Sequence, residues 1–180
     1  GGAWRFLTVD PAASEKTTSD FTVVSAWCVS PWADLVWLGC DRFRADIPDI
    51  VPRLARSAKR HQPRVVGIEA IAANRAVLQL AERWTDPVMA CVPLDKAGQD
   101  KLVHATPAMA FAASGRLYLP AVDPLFPRAD VEAELVRFTG TREDSHDDIV
   151  DTLSYAVEMV TGYPSATQTI APLLKPLARI

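Results

Sequence analysis

Three short apolar runs open the chain with only turns between them: Trp4–Val9 (WRFLTV), Phe21–Val29 (FTVVSAWCV) and Leu35–Arg42 (LVWLGCDR). Runs this short, rich in β-branched and aromatic residues and bounded by polar or Pro-containing stretches, predict strands. Asp10-Pro11 stops the first, and the small polar stretch Pro11–Asp20 (PAASEKTTSD) reads as a loop. Ser30–Asp34 (SPWAD) is a turn tight enough to join the second and third runs as an antiparallel hairpin. The chain therefore begins with a meander, and its remaining elements have to pack on a sheet that already exists.

Those remaining elements alternate between helix and strand. Ile47, Ile50, Val51, Leu54 and Ala58 recur at helical spacing, with Asp46 as a cap, Pro48 in the first turn, Asp49 near N3 and Pro63 as the stop. Arg64–Ala70 (RVVGIEA) predicts a fourth strand, Asn74–Trp84 a helix, and Val88–Pro93 (VMACVP) a fifth strand. A helix between two strands of one sheet implies a crossover and parallel pairing. Beyond lie a helix over Lys101–Ser114, interrupted by Pro107 and closed by Gly115, and a short extended piece at Arg116–Leu119. An amphipathic helix over Ala129–Phe138 and a last helix from near Asp147 to about Thr161 complete the pattern. The order predicts an α/β fold with a mixed five-stranded sheet, antiparallel on one side, parallel on the other, and helices on both faces. One domain over residues 1–162 is expected, with 163–180, holding Pro164, Pro172 and Pro176, as a tail or linker.

Composition limits the function classes. With 180 residues, 49% hydrophobic and 23% charged, the chain suits one globular domain. No apolar stretch reaches the length of a membrane span, and GGAWRFLTVD lacks the pattern of a signal peptide. Cys28, Cys40 and Cys91 are widely spaced in apolar surroundings and read as free thiols rather than disulfides or zinc ligands. The net charge of −3 is unlike that of most nucleic-acid binders, but it conceals two patches. Arg53, Arg56, Lys59, Arg60 and Arg64 crowd one segment; Asp144, Asp147, Asp148 and Asp151 crowd another.

The acids carry the chemistry. Asp10 ends the first strand after FLTV, Glu69 ends the fourth after VVGI, and Asp147, Asp148 and Asp151 open the last helix. Each has a bland reading: Asp10 as a turn former before Pro11, Glu69 as an ion-pair partner of Arg75, the last cluster as a capped helix start. Together, carboxylates at the ends of apolar strands would be partly desolvated and mutually repelling if the strands are neighbours. A divalent cation is the economical neutraliser, and oxygen-only ligands favour magnesium or manganese. Asp148 and Asp151, three apart, share a helix face near its positive end.

The ordered pattern of Asp, Glu and a late helical Asp resembles the ribonuclease H-like superfamily. Three pieces are similar, more narrowly, to the nuclease domain of tailed-phage terminase large subunits: LTVDPAASEKTTSD at Leu7–Asp20, GIEAIAAN at Gly67–Asn74, and HDDIVDTLSYA at His146–Ala156. The stretch from Lys96 to Pro120 also resembles that family, and the likeness spans residues 4–162. The resemblance implies an Mg²⁺- or Mn²⁺-dependent endonuclease that cuts double-stranded DNA during phage genome packaging, leaving 5′-phosphates. Its site would be a two-metal one, with the ions roughly 3.5–4 Å apart. Asp10 (bridging), Glu69, Asp148 and Asp151 become the candidate catalytic and metal-binding residues; spacing alone does not choose among Asp147, Asp148 and Asp151. The implied partners are a packaging ATPase domain, a portal and a small terminase subunit, in the cytoplasm of a bacterial host. No GxxxxGK[ST] loop occurs, so the ATPase motor lies outside these residues.

Other residues are open to two readings. Lys96 and Lys101 come after the fifth strand and face either phosphate or solvent. His146 is either a proton-transfer group or a surface residue. The basic helix at 53–64 either holds DNA by its phosphates or is a solvated face. Ser14, Lys16 and Thr17 lie in the loop after Asp10, within reach of a substrate. The five tryptophans, Trp4, Trp27, Trp32, Trp37 and Trp84, read as core or turn packing. Three competing functions remain: a Holliday-junction resolvase or transposase-like nuclease, a non-catalytic ribonuclease H-like module, and a sugar-kinase or actin-like ATPase. The last needs a second copy of the unit and glycine-rich phosphate turns, which 180 residues with eight glycines do not supply.

Overall fold

A computed structural model describes residues 4–12, 21–71, 74–96, 98–141, 144 and 147–161. The three opening runs are strands β1 (Trp4–Asp10), β2 (Thr22–Val29) and β3 (Leu35–Phe43). β1 pairs antiparallel with β2, and β2 with β3, so the meander forms as expected. Helix α1 (Ile47–His61) then crosses to β4 (Val65–Glu69), which lies parallel to β1, and α2 (Arg75–Glu82) crosses to β5 (Cys91–Leu94), parallel to β4. Helix α3 (Lys101–Ala113) leads to β6 (Leu117–Tyr118), and α4 (Arg128–Arg137) and α5 (Asp148–Thr161) end the described chain. The sheet order is β5-β4-β1-β2-β3-β6. The expected five strands become six because the short extended piece at Leu117–Tyr118 hydrogen-bonds along β3 as an edge strand. Residues 163–180, Ser14, Lys16, Thr17 and His146 lie outside the described residues.

The strand period sorts the core into two halves. Leu7 and Val9 of β1, with Val66 and Ile68 of β4, face Ile50, Val51, Leu54 and Ala58 of α1. Phe6 of β1, with Val65 of β4 and Val92 and Leu94 of β5, faces Ile149, Leu153, Tyr155, Ala156 and Met159 of α5. Asp10 and Glu69 have the parity of Phe6 and Val65, so they belong to the α5 face. Trp27 and Trp37 pack as a tilted ring pair with centroids 4.4 Å apart in the same half, contributing about 0.5–1.5 kcal/mol beyond burial. Trp32, by contrast, is exposed at the hairpin turn.

Two features seat α5 against the sheet. Gly67 has no side chain where one would meet Leu94 Cδ1 at 2.6 Å and Met159 Sδ at 3.0 Å, so the helix comes close over β4. A buried polar relay joins α5 to β1 and β2. Trp27 Nε1 donates to Thr8 Oγ1 (2.8 Å), and Thr8 Oγ1 donates to the Thr152 carbonyl (2.9 Å). Ser25 Oγ lies 2.9 Å from Thr152 Oγ1. Each group is satisfied, so the relay fixes helix position without an unpaired-polar penalty. Among the described residues no helix is long and apolar enough to cross a membrane.

Candidate functional site

β1 and β4 are neighbours in register, with Val9 opposite Ile68, so Asp10 and Glu69 are the next residues on adjacent strands. Both are buried, at 8% and 3% exposure, and Asp151 of α5 joins them at 5%. Asp151 sits one residue before Thr152, the residue held by the relay, so its place over the strand ends is fixed by the same contacts that seat the helix. Burial first, then repulsion from Glu69 and Asp151, drives the Asp10 carboxyl well above the usual carboxylate range; Lys96 offsets part of this.

Four further side chains complete the cluster. The Lys96 ammonium, just past β5, reaches Asp151 Oδ2 at 2.5 Å and Glu69 Oε1 at 3.4 Å. Burial opposes its charge, but Asp151, Asp10 and Glu69 outweigh burial and raise its pKa. Tyr155, one helical turn after Asp151, donates its hydroxyl to Glu69 Oε1 at 2.7 Å, and Asn74 donates Nδ2 to Glu69 Oε2 at 2.9 Å. Burial and the Glu69 charge push the Tyr155 phenol far up, so it stays a donor.

His104 of α3 is fully enclosed between Asp151 Oδ1 (3.5 Å from Nδ1) and Glu158 Oε1 (3.4 Å from Nε2). Burial alone would lower its pKa, yet the two carboxylates raise it. Asp151 mirrors this: burial would raise its pKa, but His104 and Lys96 hold it below the ordinary value.

Asp148 is one turn earlier on α5 and faces different company. Its Oδ2 lies 3.8 Å from Arg42 Nη2, while Glu134 Oε2 lies 3.6 Å from Arg42 Nη1, so one guanidinium serves two acids. Burial and the Glu134 charge raise the Asp148 pKa to about 7. Glu134 Oε1 also accepts the backbone N–H groups of Ile149 (2.7 Å) and Val150 (3.1 Å), capping α5 from α4. Asp147 pairs with Lys101 at 2.5 Å.

The donor chemistry suits a hard divalent cation: three carboxylates from three elements converge with no soft ligand among them. Asp10 carries charge stress that Lys96 offsets only in part, without pairing with it. As the side chains stand, however, no three of the described His, Cys, Asp and Glu residues cage a metal ion. The ammonium of Lys96 occupies the space between Glu69 and Asp151 instead.

Across residues 7–160 the sequence matches the family model described as the terminase RNaseH-like domain. The chain belongs to that family. No curated protein matches the sequence. Among solved structures, this terminase RNaseH-like domain is similar to the large terminase nuclease from thermophilic phage G20c, crystallised with bound magnesium. The TM-score is 0.64 at 17% identity, covering 87% of this chain and 81% of that one. It is also similar to the fowlpox virus Holliday junction resolvase, with a TM-score of 0.53 at 12% identity over 94% of this chain and 99% of that one. At such identities the likeness concerns the fold, which is ribonuclease H-like.

Within this terminase RNaseH-like domain, four site residues carry no individual signal in the sequence: His104, Tyr155, Asn74 and Glu134. His104 is a lone imidazole on the buried Ala105–Ala108–Phe111 face of α3, the single available hint. The arginines of α1 do not join the acids, because α1 packs on the opposite face of the sheet. Arg53, Arg56 and Arg60 line a cleft of about 350 Å³ there with His61 and Asp123.

Proposed function

We propose that this terminase RNaseH-like domain is a metal-dependent endonuclease that hydrolyses phosphodiester bonds of double-stranded DNA, and that it does so in phage genome packaging. The observation that carries the reading is the convergence of Asp10, Glu69 and Asp151 from β1, β4 and α5 at one buried point, with Asp10 strongly destabilised as an anion. Family membership supports the packaging context. The magnesium-bound relative supports Mg²⁺, and Mn²⁺ has the same ligand preference.

Asp10, Glu69 and Asp151 would hold the metal, with Asp148 as an outer acid one turn away on the same helix. Divalent ions held there, as in a two-metal site, would supply a water nucleophile at neutral pH and neutralise charge at the phosphate and the leaving oxygen. The chain's own residues set the stage. Tyr155 and Asn74 fix the Glu69 carboxylate by donating to opposite oxygens, leaving it little rotational freedom. His104, itself paired with Glu158 through Nε2, holds Asp151 from behind. The buried setting keeps these charges poorly screened, so any cation placed among them is held strongly.

By this reading the substrate is duplex DNA, and the partners are a packaging ATPase domain, a portal and a small terminase subunit. The test is plasmid cleavage with Mg²⁺ or Mn²⁺ by the wild type and by Asp10→Asn. Cleavage by the wild type alone, lost on chelation, is the expected result. Cleavage that survives Asp10→Asn or needs no metal overturns the mechanism. A four-way junction offered beside linear duplex separates packaging-type cutting from junction resolution.

A further inference from the structure

The oxygens of Glu69 and Asp151 are already spoken for, and by different kinds of group. Glu69 Oε2 takes the Asn74 amide, and Glu69 Oε1 takes the Tyr155 hydroxyl at 2.7 Å with the Lys96 ammonium at 3.4 Å. Asp151 Oδ1 faces His104, and Asp151 Oδ2 takes Lys96 at 2.5 Å. Asn74, Tyr155 and His104 each attach to one acid of the pair. Among the described residues, Lys96 alone bridges the two acids. It lies two residues beyond Leu94, the residue of β5 that pairs with Glu69, so its backbone is anchored at the same sheet end.

We propose that Lys96 is a built-in counter-ion that stands where a divalent cation binds between Glu69 and Asp151, so that metal loading exchanges the ammonium for the metal. The inference rests on the metal-dependent reading above.

The physical case is one of charge and freedom. Three carboxylates in a buried cluster are unstable without positive charge nearby, and metal-free protein has to supply it from a side chain. A lysine is suited to a reversible version of that role. Its charge sits on a flexible four-carbon stem and forms no planar fork with carboxylates. Lys96 keeps 22% of its side chain exposed, against 4% for Glu69 and 7% for Asp151, so it has a solvent side to move toward. A divalent ion brings twice the charge and would also relieve Asp10, which the ammonium does not contact as an ion pair. The cost of removing the ammonium is then subtracted from every metal-binding event. Lys96 thereby sets the metal concentration at which the site fills, and it protects the empty site from self-repulsion.

The test is calorimetric titration of Mn²⁺ into metal-free wild type, Lys96→Met, Lys96→Arg and Asp10→Asn. Exchange predicts that Lys96→Met binds Mn²⁺ more tightly than wild type by about tenfold or more, equal to at least about 1.4 kcal/mol. Lys96→Arg, which keeps the charge, stays near wild type, and Asp10→Asn loses the heat that belongs to this site. A second readout is the rise in Tm at fixed Mn²⁺, which should be larger for Lys96→Met because its metal-free form lacks the counter-ion. If Lys96→Met folds poorly, Lys96→Gln answers the same question. Mn²⁺ affinity in the neutral variants that is equal to or weaker than that of wild type overturns the exchange while leaving the metal-dependent reading intact. No Mn²⁺ binding by any of the proteins overturns both.

Discussion

Asp148 and Asp151 stand one turn apart on the same helix, and their carboxyls are driven in opposite directions. Asp151 has Lys96 at 2.5 Å and His104 at 3.5 Å, and its pKa falls despite burial. Asp148 shares the single guanidinium of Arg42 with Glu134, at 3.8 Å, and its pKa climbs to about 7. Burial is common to both; the number and closeness of cations differ. Position on a helix thus confers a carboxylate's address, while the neighbours from other elements decide its charge state. Asp151 is kept ionised and ready to hold a cation, whereas the Asp148 carboxyl is pushed up to about 7.

The largest expected consequence concerns activity. Asp151→Asn should cut metal-dependent DNA cleavage by about a hundredfold or more, on the scale of losing a key electrostatic stabiliser. Asp148→Asn should cost about tenfold, the scale of an outer contact. Rate measurements showing equal losses would erase the distinction between the two acids.

The next effect is on the seat of α5. A Cβ at Gly67 meets Leu94 and Met159 at 2.6 and 3.0 Å, so Gly67→Ala should destabilise the fold by about 1–3 kcal/mol in a denaturant melt. Because that contact helps seat the helix that carries Asp151, cleavage should fall more than the stability loss explains. An unchanged midpoint would mean that the close approach of helix and strand is dispensable.

The sharpest comparison is thermal stability against pH in metal-free protein. Asp148 has a folded pKa raised from 3.8 to about 7, so its stabilising contribution is complete below about pH 4 and is lost as pH rises through 7. Asp151 is lowered from 3.8, so its contribution is present above that value and is lost only on acidification. At pH 8, Asp148→Asn should therefore raise Tm and Asp151→Asn should lower it. Shifts of the same sign would dissolve the contrast. The smallest effect is expected from Glu134→Gln. Removing its charge should lower the Asp148 pKa, read by carboxyl NMR titration, and weaken the cap on α5 by about 1 kcal/mol.

The two acids at the strand ends were legible from local pattern. Asp10 and Glu69 each come after an apolar run, and strand parity puts both on one face once β1 and β4 are neighbours. Their pairing depended on the crossover, which the intervening helical segment already implied. The choice between Asp148 and Asp151 was not legible, because it depends on the rotation of α5 about its own axis. That rotation is set by Gly67, the Thr8–Thr152 bond and the Tyr155–Glu69 bond, none of which links residues near one another in sequence. Lys96 was visible as a lysine beyond a strand, with phosphate or solvent as its two readings; the structure instead places it on the acids. The basic segment of α1 looked like a partner for the acidic one, but its apolar stripe turns it to the other side of the sheet. His104 and Glu134 stayed hidden because a polar residue in a helical pattern carries no mark of what it will be buried against.

The order and kind of the elements, the alternation of faces along each strand and the family are all written in the chain itself. They come from side-chain shape and apolar periodicity, which act over a few residues. Which acids meet, which cation sits between them and which carboxyl keeps its proton were settled only when the elements packed. Those outcomes depend on separations of a few ångströms between groups as distant in the chain as Tyr155 and Glu69, 86 positions apart, and electrostatic energy in a buried site changes steeply over such distances.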